Sequence, residues 1–131
     1  MLELGECDLN VTLEKKKQWS EEEVIEIIRQ TASGLEAAEK KNISHGDVKP
    51  QNFILGFNKR YHLTDFSAAK IFLPGQKATT NRGAYYYLTP ELQQMREDED
   101  DEYSYDPFEA DRYAFGVMIF KLITGKRYSS N

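Results

Sequence analysis

His45-Gly46-Asp47-Val48-Lys49-Pro50-Gln51-Asn52 decides how this chain is read. Within eight residues it holds a carboxylate at Asp47, a cation at Lys49 and a side-chain amide at Asn52. A second carboxylate, Asp65, follows eighteen residues after Asp47, in Leu63-Thr64-Asp65-Phe66-Ser67. Moving a phosphoryl group asks little covalent chemistry of a protein. It needs a carboxylate beside the accepting hydroxyl, a cation on the phosphates and oxygen ligands for Mg²⁺. Asp47 can accept or orient the hydroxyl proton, and Lys49 can reach the transferring phosphate. Asn52 offers an amide oxygen to a hard cation, and Asp65 is the natural second ligand.

The flanking sequence predicts how these groups are held. Ser20 followed by Glu23 is a capping-box signature. Val24, Ile28, Thr31, Leu35 and Ala38 then recur at spacings of three and four, one stripe of a helix over 20–41. Gly34 weakens that helix by about 1 kcal/mol against Ala. Two apolar runs, Phe53 to Phe57 and Tyr61 to Thr64, are separated by polar turn residues and predict a hairpin. That hairpin can bring Asp47 and Asp65 over one site. Leu73-Pro74-Gly75 breaks the chain, and Thr79 to Arg82 reads as a polar loop. Pro90-Glu91 can start a helical turn. Asp111 to Gly125 reads as a helix that is apolar nearly all round, and so buried, with Gly125 as its stop. The fold class is mainly α with a small β-hairpin.

Composition bounds the possibilities. The chain has 131 residues, of which 40% are hydrophobic, enough for one small packed domain. The net charge of −5 is local: Glu97 to Glu102 supplies six acids in a row, expected to be a solvated loop because like charges repel. No clustered basic patch suggests nucleic-acid binding. No apolar stretch approaches the roughly 20 residues a membrane span needs. The single cysteine, Cys7, excludes an internal disulfide framework. With no secretory start, the expectation is an intracellular, cytoplasmic protein. Lys15 to Lys17 reads as a solvated face, His62 as a strand residue and the Tyr85-Tyr86-Tyr87 cluster as packing.

In order, His45-Gly46-Asp47-Val48 with Asn52, then Asp65-Phe66-Ser67, then Thr89-Pro90-Glu91 resemble the protein kinase pattern H-R-D-L-x-x-x-N, D-F-G, A-P-E. An isolated Asp is more often a turn or cap residue; four motifs in family order reverse that preference. The fourth is Asp111-Arg112-Tyr113-Ala114-Phe115-Gly116, which resembles the start of the buried helix of the kinase C-terminal lobe. The resemblance divides the chain into a hinge (1–9), a helix (20–41), a catalytic loop (43–52), an activation segment (65–91), an acidic insertion (97–102) and a buried helix (111–124). It implies an α+β family fold, a C-terminal lobe without the N-terminal lobe or the last helices. It implies ATP and Mg²⁺ as cofactors and protein Ser/Thr hydroxyls as substrate, since Lys49 favours the serine/threonine class. Asp47 is then the catalytic base and Lys49 the phosphate contact. Asn52 and Asp65 are the metal ligands. Glu3, Asp8, Ile54 and Lys49 are the nucleotide contacts. His45 and Phe66 belong to the apolar column joining the lobes, and Asp111 anchors the catalytic-loop backbone.

Three of the departures from the pattern bear on the chemistry. Gly46 stands where many members carry an Arg that meets a phosphate on the activation segment, which lowers the expectation of control at Thr79 or Thr80. Ser67 replaces a Gly and is expected to restrict the Asp65-Phe66 flip. Ala84 stands where a Thr hydroxyl usually bonds the catalytic Asp and Lys. The Gly-rich loop, strand lysine and partner glutamate of the N-terminal lobe are absent from these residues, so little phosphate transfer is expected of this segment alone. The alternative reading is a non-catalytic, pseudokinase-like or truncated binding module. Its exposed apolar surface would be covered by a partner or the missing lobe.

Overall fold

A computed structural model describes residues 7–100 and 102–129. Strand β1 (Cys7–Asp8) leads directly into α1 (Leu9–Lys15), and α2 (Glu21–Lys40) follows. Short strands β2 (Ile43–Ser44), β3 (Phe53–Leu55), β4 (Tyr61–Leu63) and β5 (Lys70–Ile71) come next. Two helices, α3 (Pro90–Glu97) and α4 (Pro107–Thr124), complete the described residues. Three 3₁₀ turns lie between them, at Pro50–Asn52, Phe66–Ala68 and Tyr85–Tyr87.

The capping box at the start of α2 is formed in full. The Glu23 amide donates to Ser20 Oγ at 3.1 Å, and the Ser20 amide donates to Glu23 Oε1 at 3.1 Å. Lys16 pairs with Glu23 and lies 4.8 Å from the centre of the Trp19 ring. Gly34 has a packing reason. A Cβ there would stand 3.4 Å from the Leu63 Cβ, so the glycine lets β4 lie close against α2.

β3 and β4 form the expected hairpin, antiparallel, with Phe53 opposite Leu63 and Leu55 opposite Tyr61. β1 adds a third strand, placing Asp8 opposite Ile54. β2 and β5 make a separate antiparallel pair, Ile43 with Ile71 and Ser44 with Lys70. The main core joins Leu9, Ile27, Val48, Phe53, Ala114, Met118 and Leu122. Burying a side chain of the size of Phe53 or Met118 contributes about 1.5–3 kcal/mol. A second cluster of Leu88, Leu92 and Met95 sits under the Tyr85–Tyr87 turn.

Several expectations are corrected. Residues 9–15, where the sequence predicts no helix, form α1 because the Asp8 carboxylate caps it, accepting the Val11 amide at 2.9 Å. The last helix begins at Pro107, four residues before Asp111. Asp106 caps it, accepting the amides of Phe108 and Glu109, and Pro107 fits its first turn. It is also buried on one side only. Asp111, Ala114, Val117, Met118 and Leu122 face inward, whereas Phe120 and Ile123 are 40% and 63% exposed. Pro90 opens a helix of eight residues, capped by Thr89, that carries Glu97 in its last turn. The acidic run is therefore helical at its first residue and exposed from Glu97 to Asp100 and at Glu102. No helix among the described residues is long and apolar enough to cross a membrane.

Candidate active site

The loop from Ile43 to Asn52 is held from three sides. Asp111 on α4 accepts the His45 amide at 2.9 Å and the Gly46 amide at 3.0 Å, one on each carboxylate oxygen. Burial pushes the Asp111 carboxyl above its ordinary range, and the two backbone bonds pull the other way with less effect. His45 is fully buried and bonds with both ring nitrogens. The Asp47 amide donates to its Nδ1 at 3.1 Å, so Nε2 carries the proton it shares with the Thr64 carbonyl at 2.8 Å. The ring meets Phe66 edge-on at 5.0 Å. His45 is thus a structural joint between the loop and the chain that carries Asp65.

The side chains of the loop converge. Asn52 Nδ2 donates to the Asp47 carbonyl at 2.6 Å and to Asp47 Oδ2 at 3.2 Å. Lys49 Nζ lies 3.6 Å from the same Oδ2. At that distance the attraction is Coulombic and no hydrogen bond is spent. The other Asp47 oxygen, Oδ1, is buried without a partner among the described residues. Asp47 and Ala84 line one cavity of about 20 Å³.

The hairpin delivers Asp65 to this group. The Thr64 amide donates to the Asn52 carbonyl at 2.8 Å and its hydroxyl to the same oxygen at 3.2 Å. Asp65, next in the chain, has φ of 57°, a left-handed conformation that short polar side chains tolerate. Ser67 responds to that turn: its hydroxyl and amide both donate to Asp65 Oδ1, at 2.7 and 3.3 Å. These bonds hold the Asp65 carboxyl below its usual range, with the Lys49 charge adding a smaller attraction. The residue in the strained backbone region is thus Asp65, and Ser67 stabilises it.

Of the nucleotide contacts read from the sequence, Asp8 and Ile54 face each other across β1 and β3. Asp8 spends one oxygen capping α1. Glu3 lies outside the described residues. Arg82, read only as part of a polar loop, lies against Gly46; its signal in the sequence was the missing side chain at residue 46.

The ligand atoms that Asp47, Asp65 and the amide of Asn52 can offer are oxygens, the chemistry Mg²⁺ prefers. Among the described residues no three His, Cys, Asp or Glu groups cluster as a self-sufficient metal site. Asp65 and Asn52 carry oxygens of the type that cation takes.

The protein kinase domain model matches residues 1–131. The chain belongs to the protein kinase family. The relatives it resembles include serine/threonine-protein kinases. It is 41% identical over 98 residues to an Aurora kinase of Saccharomyces cerevisiae, covering 75% of this chain and 24% of that protein. It is 36% identical over 128 residues to serine/threonine-protein kinase 32C of Mus musculus, covering 95% of this chain and 26% of that protein. It is 32% identical over 124 residues to the mitosis inducer protein kinase cdr2 of Schizosaccharomyces pombe, covering 95% and 14%. The kinase chain thus spans about a quarter of the length of the first two relatives.

Proposed function

We propose that this chain is the catalytic-loop half of a serine/threonine kinase domain that transfers the γ-phosphate of ATP to protein hydroxyls. In this reading residues 43–52 are the catalytic loop and residues 65–91 the activation segment. The observation that carries it is the convergence of Lys49 and Asn52 on Asp47 Oδ2. Asp47 takes or orients the proton of the substrate hydroxyl, a role worth about 10²–10⁴ in rate. Lys49 meets the phosphate. Asn52 and Asp65 hold Mg²⁺, which neutralises phosphate charge when bound. Asp8 and Ile54, paired across two strands, contact ribose and adenine, with Glu3 in the hinge. Transfer also needs a Gly-rich loop and a strand lysine, neither of which occurs in these 131 residues. The reading therefore concerns the segment working with such elements, in an intracellular setting that supplies ATP. The test is transfer of labelled phosphate from ATP to a generic protein by the intact protein. Loss of transfer in Asp47→Asn supports the reading; equal labelling by both forms refutes it.

A second reading is favoured by one observation. Asp47 Oδ1 is buried beside Ala84, which offers no hydroxyl. A carboxylate held without that donor suits a domain that has given up catalysis and acts by binding proteins. Exposed Ile71, Leu73 and Ile123 would then be surface for a partner. Binding of ATP and Mg²⁺ without any transfer would favour this reading.

A further inference from the structure

Arg82 joins three parts of the chain that are distant in sequence. Its Nη1 donates to the Ala68 carbonyl at 2.7 Å and, at 3.5 Å, reaches the Ser44 carbonyl. Its Nη2 donates to the Ser44 hydroxyl at 2.7 Å. Ser44 is fully buried and leads into His45. Ala68 ends the turn that follows Asp65. One side chain from the far end of the 65–91 segment thus fastens the near end of that segment to the strand entering the 43–52 loop. Its guanidinium carbon also lies 5.4 Å from the centre of the Phe72 ring, and its charge is felt by Asp111.

Gly46 makes the room. A Cβ at that position would stand 2.4 Å from Arg82 Nη1 and 2.7 Å from Cζ, and Gly46 has φ of +84°. Gly83 answers it: a Cβ there would stand 2.9 Å from the Gly46 carbonyl oxygen, at φ of +98°. Two glycines therefore let two backbone segments approach with a guanidinium lodged beside them. Taking that cation out of water is unfavourable unless its donors are satisfied. The two carbonyls, the hydroxyl and the aromatic face meet that need, while Nε has no partner among the described residues. These partners are groups that need no covalent modification.

We propose that Arg82 is a positioning residue that fixes the 65–91 segment to the 43–52 loop, in the space Gly46 leaves, without phosphorylation. The inference rests on the kinase reading only for its catalytic consequence; the tether itself rests on the contacts above.

The test uses the intact protein after phosphatase treatment, as wild type, Arg82→Lys, Arg82→Ala and Gly46→Ala. Amide hydrogen exchange at Phe72 reports on the tether, because its N–H donates to the Asn42 carbonyl at 2.8 Å. Amides of α4 report on global unfolding. The expected result is protection of Phe72 in the dephosphorylated wild type and exchange about tenfold or more faster in R82A, with α4 unchanged. Gly46→Ala moves exchange the same way by displacing the guanidinium. R82K falls between, since an ammonium lacks the planar fork. In a transfer assay R82A lowers kcat about tenfold and leaves the KM for ATP within about twofold, with R82K recovering part. Wild-type exchange at Phe72 in R82A, or protection that disappears on phosphatase treatment, overturns the proposal. If R82A opens α4 as well, R82K decides: faster exchange at Phe72 alone supports the tether, and unchanged exchange overturns it. A wild type that transfers no phosphate but shows this exchange pattern keeps the tether and refutes the proposed function.

Discussion

Asp111 holds His45 by its backbone from 66 residues away, accepting its amide at 2.9 Å while the second oxygen accepts Gly46 at 3.0 Å. A helix at one end of the chain thereby fixes the loop near its middle. Asp111→Ala would leave two largely buried amides without acceptors, at about 1–3 kcal/mol each. The expected loss of stability is about 2–5 kcal/mol, read from urea unfolding. A loss under about 0.5 kcal/mol would show that water replaces the carboxylate freely. Because burial raises the Asp111 pKa, ionising it costs more in the folded state than in the unfolded one, so stability falls as pH rises from 3.8 through the folded value.

Asp47→Asn keeps the shape of the side chain and removes its basicity. On the proposed function, transfer by the intact protein should fall by about 10²–10⁴ in kcat. Unfolding should change little, because the lost attraction is one partly exposed contact to Lys49 at 3.6 Å. A large loss of stability with unchanged transfer would reassign Asp47 to a structural role.

Ala84→Ser tests the orphaned Asp47 Oδ1. It adds one oxygen to a cavity of about 20 Å³, room for roughly one water-sized group. The new hydroxyl should donate to Oδ1 and raise stability by about 1 kcal/mol, seen as a higher thermal midpoint. A lower midpoint would mean that the hydroxyl is buried without reaching the carboxylate.

Glu23 carries the pH dependence of the start of α2. Its bonds to Lys16 and the Ser20 backbone lower its pKa from 4.5 to about 2. A lowered carboxylate pKa adds stability above the unfolded value, and that contribution is lost as pH falls through the folded one. The helical signal of the wild type should therefore weaken between pH 4.5 and about 2. Glu23→Gln should flatten the curve in that window, measured by circular dichroism. An identical acid titration of the two forms would contradict this.

Local signals in the sequence were readable where one side chain serves its own neighbourhood. Ser20 and Glu23 are three residues apart and close one cap, so α2 could be drawn without a structure. The hairpin was legible because apolar runs and polar turn residues alternate between Phe53 and Thr64. The start of α4 was missed although Asp106-Pro107 is a good opening, because the apolar residues that draw the eye begin six residues later. The exposure of Phe120 and Ile123 was hidden for another reason: composition tells how apolar a helix is, and only tertiary packing tells which side is covered. Asp8 was read for a ligand, and one of its oxygens also caps α1 through the Val11 amide. At the candidate site the residue types were legible and their mutual bonds were not. Arg82 reaches Ser44 across 38 positions, and no periodicity records such a span.

The contact between Gly46 and Arg82 also constrains heredity. Many kinases keep an arginine at the position of Gly46, and here the cationic group arrives from residue 82 instead. A side chain at residue 46 would collide with the Arg82 guanidinium, so a change there asks for a change at residue 82.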